Sequence, residues 1–197
     1  MIETKARILE AAEPLMLEHG FHAVGLTRIL KAVNVPKGSF YHHFESKEAF
    51  GVELLRHYVA ETTSCKRRTL LETDTAENPL ERLFRSMDEG IAKFEQGGCQ
   101  CPCLIVKLAA EVSSFSEGMR AELSKGFDEW VGIHAELLER AKTGGLVATN
   151  LDTASCSQLI HDLWFGAVLR AIASRSSIPL QTARQMLETT LATTPNS

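Results

Sequence analysis

The chain has 197 residues, 44% of them hydrophobic, and a formal net charge of −4 at pH 7. That is enough apolar matter for a real core, and the acidic balance excludes a protein that coats nucleic acid indiscriminately, so any nucleic-acid contact must come from a local basic patch. Met1 to Gly20 carries charges throughout, unlike a signal peptide, and no apolar run approaches the roughly 20 residues needed to span a bilayer, so a cytoplasmic protein with no membrane partner is expected.

Leu, Ala and Glu are plentiful and β-rich stretches are scarce, which predicts an all-α fold. A first helix is expected from about Glu3 to His19: Ile8, Ala11, Ala12, Leu15 and Met16 fall at helical spacing, and Gly20 is a good stop. Phe21 packs the corner. A second helix begins near Thr27, which serves as N-terminal cap or phosphate ligand, and runs to about Val33. Asn34-Val35-Pro36 is a turn, and a short third helix follows from Lys37 to Phe44. Ser46 caps a fourth, from Lys47 to about Leu71, and the polar stretch from Thr73 to Asn78 is a loop. Asn78-Pro79-Leu80-Glu81 opens a fifth helix, which Gln96-Gly97-Gly98 breaks. A sixth starts near Pro102 and ends around Val112. After a link from Ser113 to Ser116, a long helix covers Glu117 to Lys142 and stops at Gly144-Gly145. Asp152 caps a helix reaching about Arg175, and Ile178-Pro179 opens a last one that ends before Pro195.

The second helix, the turn and the third helix form a helix-turn-helix, the element that places its second helix in a major groove. Phe40 and Phe44 stand four apart and supply a buried face for the third helix. Lys37, Ser39, Tyr41, His42 and His43 form its outer face. Gly38 lets the backbone approach a phosphate, the helix start offers free N–H groups to the same anion, and Lys47 holds a phosphate across the groove. Between Thr27 and Lys47 the charges are Arg28, Lys31, Lys37 and Lys47 against Glu45 alone. The bland alternative makes Phe40, Tyr41 and Phe44 mere core and His42-His43 a solvated pair; the flanking helices and the turn weigh against it.

Gly20-Phe21, Leu26-Thr27-Arg28-Ile29-Leu30, Val35-Pro36-Lys37-Gly38-Ser39-Phe40-Tyr41-His42-His43-Phe44 and Ser46-Lys47-Glu48 carry a resemblance. Met1 to roughly Leu55 resembles the N-terminal domain of the TetR family of repressors. The resemblance implies a DNA-binding domain over residues 1–47 and a helical inducer-sensing and dimerisation domain over 48–197. It also implies Thr27, Tyr41 and Lys47 on phosphates, and Ser39 and His42 near bases, with Arg28 and His43 as further candidates. A neutral histidine there accepts or donates one hydrogen bond, unlike the usual bidentate base readers.

The five cysteines are Cys65, Cys99, Cys101, Cys103 and Cys156, expected as thiols in a reducing cytosol. Three of them alternate through Gly97-Gly98-Cys99-Gln100-Cys101-Pro102-Cys103-Leu104. Pro102 suits the first helical position, which makes Cys101 the cap and Cys103 the second residue of the helix. Unpaired N–H groups and the macrodipole there favour a thiolate, so the Cys103 thiol is expected to ionise more readily than usual. Lys107, one turn on, adds positive charge. Cys103 is therefore the candidate reactive thiol, with Cys99 and Cys101 as candidates to resolve a sulfenic acid.

The run from Cys103 to Val112, Ser116-Glu117-Gly118-Met119-Arg120, Leu163-Trp164-Phe165-Gly166-Ala167 and Ser174-Arg175-Ser176 resemble the NemR-like branch, repressors of N-ethylmaleimide reductase, and the related acrylate-responsive regulators. That resemblance implies electrophile and oxidant sensing at Cys103. Three readings of the cluster stay open: a sensor, a pocket-lining or buried cysteine beside a noncovalently bound inducer, and a soft-metal site completed by His134 or His161. The paired C-x-x-C spacing of a metal site is absent, and no metal or cofactor is expected. An enzyme built on Cys103 with His134 or His161 lacks an oriented third group, a phosphate loop and a metal-protease signature, so no catalysis is expected. Cys65 and Cys156 are ordinary helix residues.

Phe94, Trp130, His134, His161, Trp164 and Phe165 are candidate walls of a mainly apolar inducer pocket. Gly166, Ala167, Ala171 and Ala183 put small residues on one face of the last two helices. Packed against a twin pair they would form a symmetric four-helix interface, the alternative being packing within the chain. The expectation is a homodimeric regulator on a pseudo-palindromic operator in double-stranded DNA. A small electrophile or another small-molecule inducer would shift it to a spacing of reading heads that no longer fits.

Overall fold

A computed structural model describes residues 2–72, 77–98 and 103–191, with side chains from residue 4 onward. Among these residues every regular element is helical: α1 (Ile2–His19), α2 (Leu26–Ala32), α3 (Lys37–His43), α4 (Lys47–Arg67), α5 (Pro79–Gln96), α6 (Leu104–Val112), α7 (Glu117–Thr143), α8 (Thr153–Ser174) and α9 (Ile178–Leu191). A π-helical turn, Arg68–Glu72, continues α4.

Local chemistry sets most of the ends. Gly20 stops α1 at φ +83°, a conformation that costs glycine little. Asn34 closes α2 at φ +53°, with its N–H on the Lys31 carbonyl and the Val35 N–H on that of Leu30. Asn is among the few residues that visit this region routinely. Ser46 Oγ accepts the Ala49 N–H at 2.9 Å and caps α4. Asn78 Oδ1 accepts the N–H groups of Leu80 and Glu81 at 3.0 Å each, and Glu81 returns a carboxylate oxygen to the Asn78 N–H at 2.9 Å. This reciprocal capping box starts α5 with Pro79 in its first turn. Asp152 caps α8 through the Ser155 N–H at 3.1 Å.

The chain divides into two compact units. The first comprises Met1–Glu61 and Cys103–Gly126, so the helix-turn-helix shares its unit with most of α4, with α6 and with the start of α7. Its core holds Ile8, Ala12, Met16, Ile29, Phe40, Phe50, Leu55, Leu104 and Ile105, all fully buried. A Cβ built on Gly51 would lie 2.6 Å from both Met119 Sδ and a Phe21 ring carbon. The glycine is what lets α4 pass so close to the α1–α2 corner and to α7.

The second unit comprises Thr62–Pro102 and Phe127–Ser197. Leu70, Leu83, Ile133, Leu137, Leu138, Ile160, Leu187 and Leu191 pack together there, joined by the partly buried Phe84, Leu163 and Trp164. The small-residue face expected at a dimer interface is used inside the chain: Ala167, Ala171 and Ala183 are 7%, 0% and 3% exposed, and of the four only Gly166 faces outward. The large apolar side chains left outside on α8 and α9 are Leu159, Leu169, Ile178 and Met186.

Candidate functional site

The candidate DNA-reading face is built on an aromatic lock. Phe40 and Phe44 from the α3 segment meet Phe50 of α4, with ring centroids 5.0, 5.6 and 5.1 Å apart. Offset and edge-on ring pairs add to ordinary apolar burial, so seven residues of helix are held in one orientation. With the phenylalanines turned in, Lys37, Gly38, Tyr41 and His42 turn out to solvent, and Ser39 and His43 are half-buried. Tyr41 is 53% exposed and leans edge-on against Phe40. Arg28 and Thr27 are exposed at the start of α2. Thr27 is not the cap: Gly25 holds that place with extended backbone and no side chain, and Thr27 is the second helical residue, free to face outward.

Lys47, expected on a phosphate, is engaged within the chain. Its Nζ donates to the Phe21 carbonyl at 2.7 Å and lies 4.7 Å from the centre of the Phe21 ring. Burial holds its amine below the ordinary lysine range, with Glu111 acting the other way.

Glu111, near the end of α6, is a residue that sequence reasoning did not single out. One carboxylate oxygen accepts the Phe21 N–H at 3.0 Å. The other accepts the His22 N–H at 2.7 Å and contacts the His22 ring Nδ1 at 2.9 Å. Burial pushes the Glu111 carboxyl up, but these donors outweigh it and hold the group below its ordinary value. A Cβ on Gly20 would fall 2.7 Å from Glu111 Oε2, so glycine is needed there for space as well as for its φ. α6 therefore grips the α1–α2 corner of the reading element directly.

The other end of α6 carries the thiol. Cys103 is the N-cap, with extended backbone, and Leu104 is the first helical residue. This corrects the expected register, in which Cys103 was second in the helix; Cys99, Cys101 and Pro102 lie outside the described residues. The Cys103 side chain makes no capping bond to the helix backbone. The Leu104 N–H instead donates to the Tyr58 hydroxyl of α4 at 3.2 Å, and the same hydroxyl hydrogen-bonds the Cys103 side chain. Tyr58 is 9% exposed. Burial, then the charge and hydrogen bond of Cys103, push its phenol well above the ordinary range. Cys103 itself is half-buried. Lys107 donates its backbone N–H to the Cys103 carbonyl at 3.1 Å, one turn on. Cys65 is exposed and Cys156 buried; burial, then Asp152, raise the Cys156 thiol. No three His, Cys, Asp or Glu side chains among the described residues gather as a metal site.

In the second unit, three of the expected pocket residues, Trp130, His134 and Phe165, gather near a fourth, His161. Its ring lies 5.3 Å from Phe127, 6.0 Å from Phe165 in a stacked pose and 6.5 Å from Trp130. Its Nδ1 contacts Asp162 at 3.1 Å, while its buried Nε2 has no hydrogen-bond partner among the described residues. His134 is 8% exposed, and its Nδ1 has no hydrogen-bond partner among the described residues. Burial, then Lys66 and His161, lower its pKa to about 3. Trp164 goes elsewhere, against the apolar core and Gly90, and Phe94 is fully buried. Phe127, not foreseen, completes the ring group.

Comparison with known proteins agrees with this layout. Residues 8–54 match the family model for bacterial regulatory proteins of the tetR family, and residues 79–187 match the tetracyclin repressor-like C-terminal domain. The chain is similar to the HTH-type transcriptional repressor NemR of Escherichia coli strain K12, 37% identical over 97% of this chain and 95% of that one. It is 32% identical to the transcriptional regulator AcuR of Cereibacter sphaeroides, over 83% of this chain and 74% of that one. The crystal structure of E. coli NemR in its reduced form superposes with a TM-score of 0.88 at 35% identity, covering 95% of this chain and 96% of that one.

Proposed function

We propose that this chain, which belongs to the tetR family of bacterial regulatory proteins, is a cytoplasmic, homodimeric repressor released from its operator when an electrophile or oxidant modifies Cys103. That it is a transcriptional repressor and not an enzyme follows from the family and from its likeness to NemR.

The observation that carries it is the placement of Cys103. A half-buried thiol sits at the start of α6, hydrogen-bonded to α4, in the same compact unit as the reading face. The thiolate sulfur adds to the β-carbon of an electron-poor alkene, and the α-carbon takes up a proton, leaving a neutral thioether. The added bulk disturbs a helix whose far end holds Phe21 and His22. The similarity to NemR, whose solved structure is specified as reduced, supports the same reading.

On DNA, the exposed Lys37, Gly38, Tyr41 and His42, with Ser39 and His43 beside them, would enter a major groove, and Thr27 and Arg28 would meet the adjoining backbone. Lys47 would join them only by exchanging the Phe21 carbonyl for a phosphate. Two reading heads on a pseudo-palindrome require a dimer, and the exposed Leu159, Leu169, Ile178 and Met186 of α8 and α9 are the apolar surface available to form it.

Titration of operator DNA with and without N-ethylmaleimide tests the reading. Wild-type affinity is expected to fall at least about tenfold, or about 1.4 kcal/mol, on treatment. Cys103→Ser is expected to bind DNA normally and to ignore the reagent. Release of Cys103→Ser to the wild-type extent would remove the thiol from the mechanism. The favoured reading would then be a noncovalent inducer held by the buried imidazoles of His134 and His161 against Phe127, Trp130 and Phe165.

A further inference from the structure

We propose that Tyr58 is the positioning residue of the sensing thiol: its hydroxyl, anchored by the Leu104 N–H, donates its single proton to the Cys103 sulfur once that sulfur is ionised. The inference rests on the reading of Cys103 as the sensor and names what sets its reactivity.

A phenol has one proton to give and lone pairs to receive. At Tyr58 one lone pair already accepts the Leu104 N–H at 3.2 Å, so the proton is left for the neighbouring sulfur. The neutral thiol can donate S–H to the phenol oxygen. After ionisation the bond reverses and becomes O–H donating to S⁻, and bonds to a charged acceptor are about twice as strong as neutral ones. The N–H on the phenol oxygen polarises the O–H and makes it a better donor. Tyr58 is 9% exposed, so water competes poorly for the bond.

The charged neighbourhood agrees. Glu13 of α1 and Cys103 both act on Tyr58 in the direction that keeps its proton on, and His57 faces Glu13. A phenol that holds its proton can serve as donor at any pH where the thiol is ionised. Because Tyr58 belongs to α4, alkylation of the sulfur alters a contact of that helix as well as of α6.

Tyr58→Phe keeps the buried ring and deletes the hydroxyl. Iodoacetamide alkylation would be followed against pH by mass spectrometry of the peptide that carries Cys103, so that the other thiols do not enter. The apparent pKa of the profile is expected to rise by about one unit, and the rate at neutral pH to fall about tenfold. Superimposable profiles would overturn the proposal, and so would a faster rate at every pH with an unmoved midpoint, which signals loosened packing only.

A second readout leaves Tyr58 in place. The chain has two tyrosines, so fluorotyrosine labelling gives one buried and one exposed fluorine resonance. The Tyr58 signal is expected to titrate with the midpoint of the Cys103 profile and to lose that step in Cys103→Ser, with Tyr41 as the exposed reference. A Tyr58 signal indifferent to Cys103 would overturn the assignment. Neither readout involves DNA. If Cys103→Ser stays inducible while Tyr58→Phe moves the profile, the sensor reading fails and the placement of Tyr58 stands; the opposite pattern separates them the other way.

Discussion

Phe40→Ala is expected to cost about 3–5 kcal/mol of stability and to abolish specific DNA binding, although Phe40 itself is buried away from any DNA. Its ring is 0% exposed and lies against Phe44 and Phe50. Truncation removes the centre of that cluster, and α3, with seven residues, is far too short to persist without it. Since whole domains are stable by only about 5–15 kcal/mol, the reading unit should melt in or near the working range. Tyr41→Ala on the same helix is the control. That side chain is 53% exposed, so its stability cost should stay within about 1 kcal/mol while DNA affinity falls. Urea unfolding beside operator titration reads both. A Phe40→Ala protein as stable as wild type would mean that the aromatic cluster does not hold the recognition helix.

The second large effect concerns acid. His134 is held neutral, its pKa lowered from 6.5 to about 3 by burial, then by Lys66 and His161. In the unfolded chain it takes up a proton near its ordinary value. Between those two values only the unfolded state is protonated, so stability is fully present above about pH 6.5 and is lost as pH falls, by about 1.4 kcal/mol per unit for one proton. From pH 6.5 to 4.5 that amounts to about 2.3 kcal/mol from one side chain, since the slope is only half developed at the upper end. His134→Leu should remove this slope while leaving stability between pH 7 and 8 less affected. Urea unfolding of both proteins at pH 7.5, 5.5 and 4.5 gives the difference that matters, since other titrating groups cancel in it. Parallel curves would place a proton on His134 in the folded state.

What the amino-acid order made legible was mostly local. Asn78, Pro79 and Glu81 announce a helix start because all three act within one turn, and the observed box uses them as expected. Asn34 and Gly20 likewise close helices through their own backbone freedom. Phe40 and Phe44, four apart, indicated the inner face of α3 correctly. The less legible positions depend on partners far along the chain. Cys103 stands two positions earlier in the helix than expected, and the Leu104 N–H beside it is taken by a hydroxyl 46 residues distant. Lys47 turns inward because Phe21 offers a carbonyl. The Glu111 clamp spans 89 and 90 residues, and no short-range pattern announces it. Ala167, Ala171 and Ala183 showed a face that wants close packing, but periodicity does not say whether the chain itself or a second copy supplies the cover.

The shared unit of thiol and reading face has a consequence for dose response. Met1–Glu61 and Cys103–Gly126 form one body, so whatever modification at Cys103 does to DNA affinity, bound DNA must return in kind to the thermodynamics of modification, because coupling between two sites is reciprocal. On the proposed reading, copies seated on an operator are the ones least disposed to react, and idle copies are consumed first. The surplus of repressor over operators then acts as a sponge for stray electrophile. Genes under control stay silent through small exposures and open only after the unseated pool is spent, so expression level, and not thiol chemistry alone, sets the threshold of the response.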